Sequence, residues 1–248
     1  MTERITSRKN PLLQQVKKLF ASHREREMAG LFAADGVKLL EEAVKYCPGL
    51  ETVILSDEVE ASLPEQVRLI RVPRDVMESI SPMAAPQGAV FLCRLPEKKL
   101  FSPKPGMLLL DGIQDPGNLG TILRTADALA VPVVLLPGCA DVWNPKVVRA
   151  SMGAAFRAVP VAMTREAAVA SCRANGVRLL ATALRADAHD LREETLSQTA
   201  VIIGSEGQGV CRELLDAADG TVIIPMQSLC ESLNAAVAAT IVMWQMRR

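Results

Sequence analysis

The run MLLLDGIQDPGNLGTILR, residues 107–124, decides how the rest of the chain is read. Its first four residues are apolar and Asp111 closes the run, without the alternation of a half-exposed strand, so 107–111 suits a strand buried on both faces. Pro116 and Gly117 force a turn, and Asn118 is a good helix N-cap. Beyond it Leu119, Ile122, Leu123, Ala126, Leu129 and Ala130 recur at helical spacing. A doubly buried strand that turns directly into an amphipathic helix is the building unit of a parallel sheet. At about 100° per residue, Arg124 falls far from the centre of the apolar stripe and points away from the core. Ordinary surface arginines do the same.

The alternation continues downstream. Strands are expected over 133–136, 157–161, 178–183, 200–203 and 221–224, and helices over 144–151, 165–174, 209–216 and 231–246. This predicts an α/β domain over 107–248, a parallel sheet with helices on both faces. In the last helix Leu233, Ala236, Val237, Ile241, Val242, Met243, Trp244 and Met246 leave almost no polar side. Such a helix is buried on more than one side, and part of it suits contact with another subunit.

Upstream, LPEKKLFSPKPG (95–106), with its prolines and lysines, reads as an interdomain linker. Residues 1–94 then form a small α/β domain. Helices are expected over 11–26 and 36–46, and strands over 52–55, 68–72 and 88–93.

Composition narrows the classes. Of 248 residues 49% are hydrophobic and 3% aromatic, so the core is aliphatic. No apolar run approaches the roughly 18 residues of a membrane span, and the polar start MTERITSRKN is no signal peptide. The six cysteines include no Cys-x-x-Cys pair, which argues for buried thiols in a reducing cytoplasm and against a disulfide or a metal site. Net charge is zero, yet the first thirty residues hold Arg4, Arg8, Lys9, Lys17, Lys18, Arg24 and Arg26. That segment reads either as a solvated helix face or as a patch for nucleic-acid phosphates.

Parallel sheets bind ligands at the carboxyl ends of their strands. GSEGQG (204–209) follows an apolar strand, and its glycines allow close backbone approach to a ligand. It lacks the Gly-Lys-Ser/Thr ending of a P-loop and the order of a dinucleotide fingerprint, and a plain strand-to-helix turn would also explain it. Glu206 is harder to explain in a turn. IPM (224–226) is a third loop, and ESLNAAVA (231–238) puts Ser232 and Asn234 at the start of the last helix, where both residue types cap well.

Together these stretches resemble the three signature motifs of the SpoU (TrmH) family of RNA ribose methyltransferases. Asn118 and Arg124 match the invariant pair of the first motif, Ile202 to Val210 matches the second with Glu206 as its acidic residue, and Pro225-Met226 with Ser232-Leu233-Asn234 matches the third. Met152-Gly153-Ala154 resembles a further small-residue turn. The likeness covers 107–248 and extends to Phe32–Ala43, which is similar to the family's N-terminal substrate-binding domain. Ser228 and Ala235-Ala236 depart from the common Gly and Val-Ser, small residues for small ones.

The resemblance implies a C-terminal trefoil knot, a homodimer with the active site at its interface, and S-adenosylmethionine as cofactor, without a metal. The implied cofactor residues are Thr182, Ala183, Leu184, Gly204, Ser205, Glu206, Gly207, Ile224, Met226, Ser232 and Leu233. Asn118, Arg124, Glu206, Ser232 and Asn234 are the implied catalytic set. Arg124 would clamp a phosphate or act on the hydroxyl, Asn118 and Asn234 would orient it or the ribose, and Glu206 would order its loop or pair with Arg124. The implied reaction is methyl transfer to a ribose 2′-hydroxyl of RNA, ribosomal RNA first and transfer RNA as its rival. A non-catalytic RNA-binding protein of the same fold is the competing class. An open-sheet methyltransferase is disfavoured because no glycine-rich loop follows residue 111.

Overall fold

The computed structural model describes residues 3–97, 104–185, 187–227 and 232–248. Residues 98–103 of the expected linker, together with Ser228, Cys230 and Glu231, lie outside the described residues. In chain order come β1 (Glu3–Arg4), α1 (Pro11–Ala21), α2 (His23–Ala29), β2 (Leu31–Asp35), α3 (Val37–Tyr46), β3 (Leu50–Ser56), β4 (Arg68–Val72), α4 (Arg74–Ile80) and β5 (Ala89–Arg94). Next are β6 (Met107–Asp111), α5 (Pro116–Ala128), β7 (Val133–Leu135), α6 (Pro145–Ala150), α7 (Ala154–Arg157), β8 (Val161–Ala162) and α8 (Arg165–Ala174). The remainder is β9 (Arg178–Thr182), β10 (His189–Asp190), β11 (Thr199–Gly204), α9 (Arg212–Ala217), β12 (Gly220–Ile223) and α10 (Ala235–Met246). None of these helices is long and apolar enough to cross a membrane.

Tertiary contacts divide the chain into Met1–Glu97 with Asp141–Arg157, and Lys98–Ala140 with Ala158–Arg248. The segment Asp141–Arg157, which the sequence boundaries assign to the C-terminal domain, therefore packs in the first unit.

The first unit has a mixed sheet in the order β1-β4-β3-β5-β2, with β5 antiparallel to both neighbours. A period of two sorts its side chains. Phe32, Val53, Leu55, Phe91 and Cys93 join α3, α6 and α7 on one face, while Ala33, Ile54, Val90 and Leu92 join α1 and α4 on the other. The helix expected over 11–26 is two helices. Ser22 is extended (φ −135°); its N–H closes α1 on Lys18 O at 2.9 Å and its hydroxyl accepts from Glu25 N at 3.3 Å. One serine ends one helix and caps the next.

Behind that break, Arg26 is buried and donates to Leu19 O at 2.6 Å and to Asp141 Oδ2 through Nε at 3.0 Å and Nη2 at 2.6 Å. Asp141 also accepts from Trp143 N at 2.9 Å and meets His23 Nδ1 at 3.0 Å. Burial alone would push this carboxyl up, but the Trp143 N–H, the Arg26 guanidinium and His23 outweigh it and hold it below its ordinary 3.8. Other charges of the basic segment are matched too: Arg4 pairs with Asp57 and Arg8 with Asp75, both at 2.7 Å. Lys9, Lys18 and Arg24 remain exposed.

The second unit has a parallel sheet in the order β10-β12-β9-β11-β6-β7-β8. Met107, Leu109, Ala200, Ile202, Leu179 and Ala181 face α8 and α9, while α10 packs on α5 and β11. Several expected bounds shift. Helix α5 starts at Pro116, α7 occupies the start of the expected strand 157–161, α9 starts at Arg212, and α10 starts at Ala235. Strands β1, β2 and β10 and helix α4 have no counterpart in the sequence reading.

Replacing Asp141 by Ala leaves the buried Arg26 unpaired and is expected to cost the first unit about 3 kcal/mol at neutral pH. A carboxyl held below its ordinary value contributes stability above that value and loses it as pH falls through the lowered one. The gap between wild type and Asp141→Ala should therefore close on acidification below about pH 4. Urea unfolding in a Trp244→Phe background checks this through Trp143, whose ring stacks on Phe32 at 4.4 Å.

Candidate functional site

The carboxyl ends of β12, β9, β11 and β6 lie side by side in the second unit, with Val222 in register with Thr182, and Gly204 with Asp111. This brings the loops after residues 182, 204 and 223 to one sheet edge. Thr182 Oγ1 donates to Ile202 O at 3.0 Å, and Ala183 N donates to Val222 O at 3.0 Å, so the first of these loops is fixed to both neighbouring strands.

Asn118 is not the cap of α5. With Pro116 at the first helical position the cap is Asp115, whose Oδ1 accepts from Asn118 N at 2.7 Å. The Asn118 side chain is thereby free for other contacts. Its Nδ2 donates to Glu206 Oε1, and its Oδ1 accepts from Asn234 Nδ2 at 3.0 Å. Asn234 in turn caps α10, its Oδ1 accepting from Ala236 N at 3.0 Å and Val237 N at 3.3 Å. Capping and site geometry coincide here: because Oδ1 serves the helix, Nδ2 must face Asn118, which sets the orientation of both amides.

Glu206 thus takes its hydrogen bond from Asn118 and not from Arg124. Arg124 is exposed on α5, and among the described residues its side chain makes no hydrogen bond or ion pair. Ser232 is exposed and lies ahead of α10. Of the implied catalytic residues, Asn118, Glu206 and Asn234 are joined; Arg124 and Ser232 stand outside that chain of bonds.

The glycine loop is braced by its own backbone. Ser205 bridges Gly209, with Gly209 N donating to Ser205 O at 2.9 Å. A Cβ on Gly204 would fall on the backbone of Gly209 and Val210, so the requirement for glycine comes from the loop itself and not from an approaching ligand. At Gly207 a Cβ would meet nothing within 4 Å. That open side and the apolar character of Leu184, Ile224, Met226 and Leu233 suit the adenosyl part of S-adenosylmethionine, an apolar ring system with polar edges. A cleft of about 750 Å³ beside the loop is lined by Arg185, Gln208, Val210, Cys211 and Arg212, and by none of these expected cofactor residues.

Two residues of this edge were missed in the sequence. Asp111 is buried and accepts from Arg165 Nε at 2.9 Å and from Cys211 N at 2.9 Å. The Asp111 hydrogen bond holds the Arg165 guanidinium above its ordinary value. The signal was an aspartate closing an otherwise apolar strand. Among the described residues no group of three or more His, Cys, Asp or Glu could hold a metal ion.

Residues 105–244 match the SpoU rRNA methylase family, and residues 10–90 match the MRM3-like substrate binding domain. This chain belongs to the SpoU rRNA methylase family. It is 34% identical to the 23S rRNA (guanosine(2553)-2'-O)-methyltransferase RlmP of Bacillus subtilis, over 99% of each chain. The AdoMet-bound rRNA methyltransferase of Sinorhizobium meliloti is similar in structure, with a TM-score of 0.88 and 28% identity over 100% of this chain and 98% of that one. The SpoU methyltransferase AviRb of Streptomyces viridochromogenes, in complex with AdoMet, gives 0.82 and 29% over 97% and 98%. As a SpoU family chain, this protein has the α/β fold of those structures together with the N-terminal substrate-binding domain.

Two glycine replacements separate loop architecture from ligand contact. Gly204→Ala should lower the melting temperature of the second unit and abolish cofactor binding together. Gly207→Ala should leave melting within about 0.5 kcal/mol of wild type, as a change in open space does, yet weaken S-adenosylmethionine binding. Calorimetric titration alongside thermal unfolding checks both, and equal binding by Gly207→Ala and wild type would remove that backbone from the cofactor site.

Proposed function

We propose that this SpoU family protein transfers a methyl group from S-adenosylmethionine to a ribose 2′-hydroxyl of ribosomal RNA. The observation that carries the reading is the chain of side chains Asn234, Asn118 and Glu206, which links all three motifs at the carboxyl edge of a parallel sheet. The loops holding Thr182 to Leu184, Gly204 to Gly207, Ile224 to Met226 and Ser232-Leu233 would bind the cofactor. When bound, it supplies a methyl on a sulfonium, a group open to in-line attack by oxygen.

The chain's residues then position the nucleophile, since alignment governs such a displacement. Arg124 stays protonated and clamps the phosphate next to the target ribose, lowering the hydroxyl's pKa so that its proton passes to solvent as the O–C bond forms. Glu206, fixed by Asn118, keeps its loop in place. Ser232 shapes the cleft. Lys9, Lys18 and Arg24 of the first unit offer further phosphate contacts.

We also infer a homodimer and a C-terminal trefoil knot. On α10, Val237, Ile241 and Trp244 form one stripe at spacings of four and three, exposed by 48%, 36% and 64%. An apolar stripe of that kind suits a second copy. A partner there would also complete the surroundings of Arg124. The knot reading is supported by α10, which follows edge-proximal β12 yet packs back on α5 and β11.

Three outcomes are expected. Mapping ribose methylation in RNA from a deletion strain should show one lost mark in 23S rRNA, and the nucleotide equivalent to guanosine 2553, named for the Bacillus subtilis relative, is the first to inspect. Loss of a transfer RNA mark instead would overturn the substrate. Arg124→Ala and Arg124→Lys should each lower methyl transfer by two to four orders of magnitude, about 2.7 to 5.4 kcal/mol, with folding and cofactor affinity kept. Near-normal turnover of the lysine variant would show that a point charge suffices. Trp244→Glu should shift sedimentation at micromolar concentration from dimer to monomer, and an unchanged dimer would place the interface elsewhere.

A further inference from the structure

The first unit contains a pair of thiols that the transferase reading does not use. Cys47 follows the last turn of α3, its N–H closing the helix on Ala43 O at 2.9 Å. Cys93 lies in β5, in register with Leu50 at the start of β3. The intervening turn is laced to β5: Leu50 N donates to Cys47 O at 3.1 Å, and Arg94 N donates to Gly49 O at 2.8 Å. Gly49 lies so close that a Cβ there would sit 2.9 Å from Arg94 O. This lacing packs Cys47 against the core cluster that holds Cys93. Cys93 is buried, while Cys47 is half-buried and lines a cleft of about 360 Å³ with Lys45, Tyr46, Pro48 and Gln66. Cys47 is open to small solutes, and Cys93 is enclosed in the core against which it packs.

The thiolate is the reactive form of cysteine. The hydrogen bond from Cys93 holds the Cys47 thiol below its ordinary value in spite of burial, helped by the Gly49 backbone. Burial pushes the thiols of Cys139 and Cys211 up, that of Cys172 up to about 11, and that of Cys93 well up. Among the described residues Cys47 is therefore the thiol best suited to react at neutral pH.

We propose that Cys47 and Cys93 form an oxidant-sensitive dithiol in the substrate-binding unit, with Cys47 reacting first and Cys93 resolving it to a disulfide. With hydrogen peroxide as oxidant, the Cys47 thiolate attacks one oxygen, the O–O bond breaks and hydroxide leaves, giving a sulfenic acid. The Cys93 sulfur then attacks the Cys47 sulfur, the S–O bond breaks, and water leaves with the Cys93 proton. Two thiols are oxidised by two electrons in all, and the peroxide is reduced to water. The new bond ties the end of α3 to β5.

The test uses the reduced full chain treated with limiting hydrogen peroxide, then blocked by alkylation and mapped by peptide mass spectrometry. The first product should be a Cys47–Cys93 cross-link that dithiothreitol reverses, with an intact mass lower by two hydrogens. Untreated protein at neutral pH should alkylate at Cys47 about tenfold faster than at Cys139 or Cys211. Cys93→Ser, with its fold checked by circular dichroism, should leave a sulfenic acid on Cys47 that dimedone traps. The mapping of the wild-type chain decides the matter even if that variant does not fold. Oxidation of any other thiol, Cys230 included, while Cys47 and Cys93 stay reduced would overturn the proposal, as would oxidation of Cys47 that never pairs with Cys93.

Discussion

Everything at the carboxyl edge of the second unit depends on which residue caps α5. Asp115 takes the free N–H of Asn118, so the Asn118 amide has its donor and its acceptor both available for contacts outside its own helix. An amide has one nitrogen and one oxygen, and here each faces a different loop: Glu206 of the glycine loop on one side, Asn234 at the head of α10 on the other. Because Asn234 has already committed its oxygen to two helix N–H groups, only one arrangement satisfies all three side chains. A capping choice made locally in α5 thus fixes the relative placement of three segments far apart in sequence.

Asp111 secures the far end of the same glycine loop. Its carboxylate holds Cys211 N, just as Asn118 holds Glu206 near the loop's start. Pinned at both ends and bridged internally between Ser205 and Gly209, the loop keeps the backbone at Gly207 open without needing a ligand to shape it. Such preorganisation is what a positioning enzyme requires, since the geometry is set before substrate arrives. The first unit uses charge differently. Arg4, Arg8 and Arg26 are matched by Asp57, Asp75 and Asp141, so a basic stretch of sequence becomes a surface on which only some cations are free.

The sequence made legible those elements whose signals are local and strong. Strands 107–111 and 68–72 and helix 165–174 have the bounds their apolar periodicity suggests. The breaks were harder to read. At Ser22 one residue serves two helices, and nothing in the spacing of Leu13, Val16 and Leu19 announces it. Asp115 and Asn118 are both good caps, and the proline between them, which favours the first helical position, was the clue that decides for Asp115. The motif residues could be picked out one by one, but their joining depends on strand order, which places β9 between β12 and β11 and which no residue pattern encodes. Gly204 was read as a place where a ligand comes close; the neighbour that comes close is the chain's own backbone at Gly209.

The excursion of Asp141–Arg157 into the first unit bears on how the chain emerges during synthesis. Trp143, Val148 and Phe156 complete the core built on Phe32 and Phe91, so the first unit cannot close until residue 157 has left the ribosome. By then β6, α5 and β7 of the second unit have already been made. Vectorial folding, in which an N-terminal domain finishes before the next begins, is therefore closed to this chain. The first unit closes only after part of the second has been made, and a transplanted N-terminal module would carry an unfinished core unless this later segment travelled with it.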